Sequence, residues 1–132
     1  MSFDPENLPD DVVGFLRERH LGTLTTLDPG GRLHVVAIAF TYEPADGLIR
    51  MITFGTSTKV KNLRQAGEGA RAGVGQVDGP RWLSFEGPAV VVDDPARVAT
   101  AVALHAARYK QPGENPRRVA IELTPERVLG RL

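Results

Sequence analysis

The chain has 132 residues, and its 16 Lys and Arg residues balance 16 Asp and Glu residues, so the formal net charge at pH 7 is zero. This balance argues against a general nucleic-acid binder, which carries an excess of positive charge. The length fits one domain of the usual ~100–200 residues. A composition of 42% hydrophobic and 24% charged residues excludes a disordered chain.

Three further absences exclude other classes of protein. The chain has no cysteine, which excludes disulfides, thiolate metal sites and a cysteine nucleophile. Its longest apolar run, Val35 to Phe40, is far shorter than the roughly 18 residues of a membrane-spanning helix and predicts a buried strand instead. The first residues lack a basic segment followed by an apolar stretch, so we expect no secretory signal and a cytoplasmic protein without membrane contact.

Hydrophobic periodicity predicts the elements of the first half of the chain. They are a helix from Asp10 to near His20 and strands over residues 22–27, 32–42 and 48–54. The strand over 32–42 is apolar on both alternating faces, so we expect it to be covered on both sides. The strand over 48–54 follows a hairpin-length loop, so we expect it to pair antiparallel with the strand over 32–42.

The second half continues as a mixture of strands and helices. We predict a helix over Lys59–Ala66, a strand over Ala70–Val77, a bent strand over Arg81–Val92, a helix that begins at Asp94-Pro95, and strands over Arg117–Leu123 and Glu126–Leu129. Gly73 and Gly75 are typical of a bulge, and Gly87-Pro88 marks the bend. Together these elements indicate a mainly β (α+β) fold of six or seven short strands, an antiparallel barrel with three peripheral helices.

A cationic segment lies where the second helix is expected to begin. Residues 47–67 contain no acid, and their cations are Arg50, Lys59, Lys61 and Arg64. Ser57 and Thr58 precede the helix, whose first turn offers free backbone N–H groups and a partial positive charge. Lysines there are unfavourable unless something negative lies between them, which favours a bound phosphate. In the alternative interpretation Ser57 or Thr58 only caps the helix and the lysines extend into water. The segment lacks a Walker loop, which disfavours an ATPase.

Other chemistry has less support in the sequence. His20, His34 and His105 lie on three different predicted elements without ligand spacing, so we predict no metal site. Trp82 either fills the core or offers a flat wall for a planar cofactor. The neighbouring residues Arg117 and Arg118 are expected on opposite faces of a strand, where one of them could meet an acidic ligand.

Four segments, in this order, resemble a known family. They are His34-Val35-Val36, Ile52-Thr53, the run from Gly55 to Leu63, and the run from Arg81 to Gly87. The sequence resembles the pyridoxamine 5′-phosphate oxidase-like split-barrel superfamily, and within it the actinobacterial reductases that use the deazaflavin coenzyme F420. Gln76-Val77-Asp78-Gly79 and Arg81-Trp82-Leu83-Ser84 are similar to stretches of the F420-dependent biliverdin reductase group.

This resemblance implies a fold, an assembly and a cofactor. The fold would be one antiparallel split β-barrel domain over residues 1–132, and the assembly a homodimer with cofactor sites between the subunits. The cofactor would be coenzyme F420, with FMN as the alternative. The residues implied in binding it are Val36, Ile52 and Thr53 near the ring, Ser57, Thr58, Lys59, Lys61 and Asn62 near the phosphate, and Trp82 from the neighbouring subunit. Some relatives carry arginine at position 57, a cation that Lys61 would replace.

The implied activity is hydride transfer from reduced deazaflavin to an unsaturated small-molecule acceptor such as biliverdin. No catalytic residue of the protein is implied, because the cofactor carries the chemistry. An acidic acceptor could be held by His34, Arg117 or Arg118. Two alternatives stay open: an FMN-binding oxidase or reductase of the same superfamily, and a non-catalytic protein that binds a cofactor or a haem-derived ligand.

Overall fold

A computed structural model describes residues 1–132 and contains nine strands and three α-helices. In chain order they are β1 (Ser2–Phe3), α1 (Asp10–Arg17), β2 (Gly22–Leu27), β3 (Leu33–Ile38), β4 (Thr41–Glu43), β5 (Leu48–Phe54), α2 (Thr58–Ala66), β6 (Arg71–Asp78), β7 (Arg81–Val92), α3 (Pro95–Arg108), β8 (Arg118–Leu123) and β9 (Arg127–Arg131). A short 3₁₀ helix, Gly67–Gly69, follows α2. No helix combines the length and the apolar character that crossing a membrane requires.

All strand pairs are antiparallel, which confirms the predicted fold class. The strand order is β3-β2-β6-β7-β8-β5-β4, with β9 between β7 and β1. Because β3 and β4 are consecutive in the chain yet lie at opposite ends of this order, the sheet curls into a barrel. The ladder between β4 and β5 ends where Thr41 faces Arg50, and β3 pairs only with β2. One edge of β3 and one edge of the last residues of β5 therefore have no strand partner, and this break in the sheet is here called the split.

The long strand β7 bends as predicted and joins the two halves of the barrel. Its first part pairs with β6 and β9, and its last four residues, Ala89 to Val92, pair with β8. Gly87 lies at the change of partner, where a Cβ atom would be 1.9 Å from the backbone oxygen of Thr124. Only glycine allows this close approach of two backbones.

Two expectations about the strands are wrong. The run 32–42 is not one strand covered on both sides: it is interrupted at Ala39 and Phe40, and Leu33 and Val35 are 71% and 58% exposed. The alternate residues of β3 face the barrel and their neighbours face outward, where nothing in the chain covers them. The bulge expected at Gly73 and Gly75 is also absent, because β6 pairs with β7 without interruption from Arg71 to Asp78.

The strand that is buried on both faces is β8. Val119, Ile121 and Leu123 belong to the main core inside the barrel, and Ala120 packs on the other face against α3. The helix α3 starts as predicted, with the Asp94 carboxylate accepting the backbone N–H of Arg97 at 3.0 Å. By contrast, α1 ends at Arg17, earlier than expected, because Glu18 adopts an extended conformation.

Candidate functional site

The strand-to-helix junction, residues Phe54–Lys59, presents unpaired backbone donors. The first helical hydrogen bond of α2 runs from the N–H of Lys61 to the oxygen of Ser57, 3.1 Å. The N–H groups of Thr58, Lys59 and Val60 therefore donate no hydrogen bond, and no side chain caps the helix. A helix start of this kind carries a partial positive charge and attracts an anion.

Lys59 adds a cation without a counter-charge to this junction site. Its side chain is half-buried, and no carboxylate lies within 4.0 Å of it among the salt bridges of the structure. Burial lowers the pKa of Lys59 from its ordinary value. Backbone N–H groups, two hydroxyls and an ammonium group are the donors that bind phosphate in proteins, so the residues present fit a phosphate group.

Two arginines extend the positive charge on either side of Gly55. The N–H of Gly55 donates to the backbone oxygen of Arg117 at 2.9 Å, so the segment before β8 lies against the junction. The Arg64 guanidinium lies 3.5 Å from the oxygen of Gly55. Arg118 faces elsewhere: it pairs with Phe54 across the β5–β8 ladder, and its Nη2 donates to the oxygen of Gly113 at 2.7 Å. The two neighbouring arginines thus have different surroundings: neither forms an ion pair, but Arg117 is exposed whereas Arg118 is half-buried.

The strand residues expected beside a cofactor ring separate onto two faces. Thr53 is buried, and its Oγ1 donates to the Oγ of Ser57 at 3.4 Å, which links β5 to the start of α2. Ile52 faces the opposite way and packs against a small cluster beneath α3 formed by Val92, Ala101 and Ala120. Val36 lies on β3, across the split, where it packs partly against the main core.

Asn62 anchors α2 to the barrel. Only 4% of its surface is exposed, and its Nδ2 donates to the Oγ1 of Thr26 at 3.0 Å. Thr26 in turn pairs with His34 across the β2–β3 ladder. The Nδ1 atom of His34 is buried and has no hydrogen-bond partner. Lys61, in contrast to Lys59, is exposed.

Trp82 lies apart from the junction site of its own chain. It pairs with Val77 near the tip of the β6–β7 hairpin and is 37% exposed. Val77 and Trp82 share an outward face of the sheet with the exposed residues Leu33 and Val35 of β3. Nothing in the structure connects Trp82 to Ser57 or Lys59, so a contact with that site would require a second subunit.

One exposed residue beside the junction had not been singled out in the sequence. Phe54 is the last residue of β5, and it is 56% exposed directly before the glycine turn. An exposed aromatic side chain beside an anion site is an apolar surface on which a planar ligand can rest. Its place at the end of an apolar strand, next to Gly55, was the signal available in the sequence.

The structure also brings three possible metal ligands together, at the other end of the barrel. Oxygen and nitrogen atoms of Glu18, His20 and Asp78 lie within 4.8 Å of one another. Arg81 already pairs with both carboxylates, with Nη1 2.8 Å from Glu18 Oε2. Hydrogen bonds from Arg81, and then from His20, lower the pKa of Glu18 to about 2. The carboxylates of this cluster are therefore neutralised by the protein itself.

The fold agrees with the comparison to known proteins. Residues 8–131 match the family model of pyridoxamine 5′-phosphate oxidase, so the chain belongs to this family, and the resemblance found in the sequence is confirmed. The chain is 49% identical over 123 residues to the F420H(2)-dependent biliverdin reductase of Mycobacterium tuberculosis (strain CDC 1551 / Oshkosh). The aligned residues cover 93% of this chain and 88% of that protein.

Solved structures give the same architecture. The conserved hypothetical protein Rv2991 of Mycobacterium tuberculosis superimposes with a TM-score of 0.78 at 25% identity, over 94% of this chain and 84% of that one. A protein described as F420 reductase superimposes with a TM-score of 0.72 at 24% identity, over 92% of this chain and 98% of its own, which supports the fold alone.

Proposed function

We propose that this chain is an F420H2-dependent oxidoreductase that reduces an unsaturated organic acceptor, with a biliverdin-like tetrapyrrole as the first candidate. The proposal treats residues 1–132 as one cofactor-binding domain that acts in the cytoplasm. The similarity to the mycobacterial biliverdin reductase extends over nearly the whole chain. The observation that carries the proposal is the half-buried Lys59, which has no carboxylate partner and stands beside three free N–H groups at the start of α2.

The proposed cofactor contacts follow from this geometry. Ser57, Thr58 and Lys59 would hold the phosphate of F420, and the exposed Lys61 would approach it from the solvent side. The hydrogen bond from Thr53 fixes the hydroxyl oxygen of Ser57. Across the split, Val36 on β3 and Thr53 at the end of β5 would border the ring, whereas Ile52 faces α3 and would not share that side.

The chain's own part in the reaction is binding and orientation. Bound reduced F420 supplies the hydride, so the redox step needs no nucleophile from the protein. The apolar side chains that border the split keep water from the reacting faces, and the phosphate contacts set the position of the ring along it. Arg117 lies beside Gly55 with no ion pair and would hold a carboxylate of an acidic acceptor.

The proposal includes a homodimer formed through the outward face of the sheet. Leu33, Val35, Val77 and Trp82 leave apolar surface exposed on this face. Exposed apolar side chains on one face of a sheet are typical of interaction sites in globular proteins. A second copy on this face would bring its Trp82 toward a cofactor site that Trp82 does not reach within one chain.

The test is a titration of the purified full-length chain with F420 and with FMN, monitored by fluorescence. We expect F420 to bind and FMN to compete only weakly, because the relative that is 49% identical over most of the chain is named for F420. Preferential binding of FMN would instead support the alternative function, an FMN-binding oxidase or reductase of the same superfamily. That enzyme would hold the FMN phosphate with the same donors. Oxidation of F420H2 is then measured with biliverdin as acceptor. Binding without oxidation of any acceptor tested would contradict an enzymatic role.

An arginine variant tests the acceptor class in the same assay. Arg117→Ala should raise the KM for biliverdin about 10-fold, the effect of losing one charge-assisted hydrogen bond, and leave F420 affinity unchanged. The KM for an uncharged quinone acceptor should be the same in Arg117→Ala and in the unaltered chain. Arg19→Ala, which removes an exposed arginine far from the junction, is the control. Equal KM values for Arg117→Ala and the unaltered chain would remove Arg117 from the site.

A further inference from the structure

We propose that His34 donates a hydrogen bond from Nε2 to an oxygen atom of the ligand bound in the split, and that Asn62 and Thr26 hold it in the tautomer this requires. The inference rests on the proposed function for the position of the ligand. The ring and the two residues that support it come from three elements, β3, β2 and α2.

Thr26 has one hydrogen-bond partner for its side chain and lacks a second. Its Oγ1 accepts a hydrogen bond from Asn62 Nδ2 at 3.0 Å, and its own hydroxyl proton has no acceptor in the structure. Thr26 is almost completely buried, with 1% of its surface exposed, so water does not supply an acceptor. A buried hydroxyl proton without an acceptor is unfavourable.

His34 offers the missing acceptor. It is the direct cross-strand partner of Thr26, and both side chains lie on the barrel-facing side of their strands. Side chains in such pairs have Cβ atoms about 4.5–5.5 Å apart, which is within the span of a side-chain hydrogen bond, although the structure itself contains none between Thr26 and His34. The buried Nδ1 of His34 is the atom that lacks a partner. The chain of donors then runs from the Asn62 amide to the Thr26 hydroxyl and on to Nδ1.

This chain of donors determines the protonation of the ring. An Nδ1 atom that accepts a hydrogen bond leaves the proton of the neutral imidazole on Nε2. The Nε2 atom is not among the buried unpartnered atoms, so it is free to meet a ligand. In its neutral form His34 therefore presents an N–H donor at Nε2.

The helix α2 links this donor to the junction site. The observed link between His34 and α2 is indirect: Asn62 donates to Thr26, and Thr26 is the cross-strand partner of His34. Asn62 follows Thr58 by one helical turn, so α2 provides both the free N–H groups and the support for His34. The oxygen that His34 meets belongs either to the phosphate and hydroxyl chain of the cofactor or to a carbonyl or carboxylate group of the acceptor.

The tautomer is tested directly by ¹⁵N NMR of the imidazole in the full chain, with and without F420. We expect His34 to carry its proton on Nε2 in the unaltered protein. Thr26→Val removes the hydroxyl and keeps the shape, so it should produce a mixture of tautomers, and Thr26→Ser should restore the original one. Thr100→Val, on the exposed side of α3, is the control. An unchanged tautomer in Thr26→Val would overturn the relay.

Binding and kinetics then identify the ligand oxygen. His34→Leu should weaken F420 binding about tenfold if the oxygen belongs to the cofactor, or raise the acceptor KM about tenfold with F420 affinity intact if it belongs to the acceptor. His34→Gln, which retains an N–H donor, should recover most of the loss. The inference fails if His34→Leu alters neither constant. If the unaltered chain does not bind F420 at all, the proposed function fails, and the NMR result still decides the relay.

Discussion

Replacing Lys59 with methionine should weaken ligand binding and, at the same time, stabilise the ligand-free protein. Lys59 is half-buried at the start of α2 without a carboxylate partner, and burial lowers its pKa. Methionine has a similar length and an apolar stem but no charge. The substitution therefore removes the ammonium group and leaves the packing of the stem nearly unchanged.

The two effects have separate magnitudes. A hydrogen bond between charged groups contributes about 1.5–3 kcal/mol, so F420 affinity should fall roughly 10- to 150-fold. Without ligand, a lysine in the first turn opposes the helix dipole by about 0.3–1 kcal/mol, and its removal should raise the Tm by about 1–5 °C. Because the pKa is lowered in the folded state, the unfavourable contribution of Lys59 is present at neutral pH and disappears as the pH rises through its ordinary value of 10.5.

Fluorescence titration with F420 and thermal unfolding with and without inorganic phosphate measure the two effects. Phosphate should stabilise the unaltered chain more than Lys59→Met. Lys110→Met, at an exposed position after α3, makes the same chemical change away from the junction and should alter neither quantity. The reasoning would be refuted if Lys59→Met bound F420 as tightly as the unaltered chain, or if it destabilised the ligand-free protein.

Three further outcomes follow from the fold. Gly87→Ala should destabilise the protein by about 3 kcal/mol in urea unfolding, because a Cβ atom would lie 1.9 Å from a backbone oxygen. Gly14→Ala, whose Cβ meets nothing within 4 Å on α1, should be neutral or stabilising by up to about 1 kcal/mol. Val35→Lys should convert the proposed dimer into a monomer in sedimentation analysis, and an unchanged mass would exclude this face as the interface. The lowered pKa of Glu18, caused mainly by Arg81, means that this pair stabilises the fold above pH 4.5 and loses its effect toward about pH 2. Stability should therefore fall more steeply over that range in the unaltered chain than in Glu18→Gln.

Local sequence signals predicted most of the fold and the centre of the site. The apolar strand before Gly55 and the Ser57-Thr58 start of α2 are encoded within about ten residues, and both are observed. The prediction failed for β3, because its outward residues are as apolar as its inward ones. Apolar composition does not distinguish a face covered within the chain from one, such as that of Val35, left for another molecule.

Hydrophobic periodicity does not predict the contacts between distant residues that support the site. Asn62 and Thr26 are 36 residues apart, and only the packing of α2 on β2 brings them together. The sequence suggested Asn62 as a phosphate contact, and that role stays a prediction beside its observed bond to Thr26. Ile52 and Thr53 were grouped because they are adjacent, whereas the period of two places adjacent strand residues on opposite faces.

The distribution of ion pairs explains how a chain of zero net charge presents a cationic site. The carboxylates that form salt bridges pair with Arg50, Arg71, Arg81, Arg97 and His20, all away from Gly55. The cations beside Gly55, among them Lys59 and Arg117, have no such partner. Long-range attraction of anions is therefore weak, because the total charge cancels beyond a Debye length of about 8 Å. Short-range attraction is strong at the junction, so affinity for a phosphate should depend on direct contacts and only modestly on ionic strength.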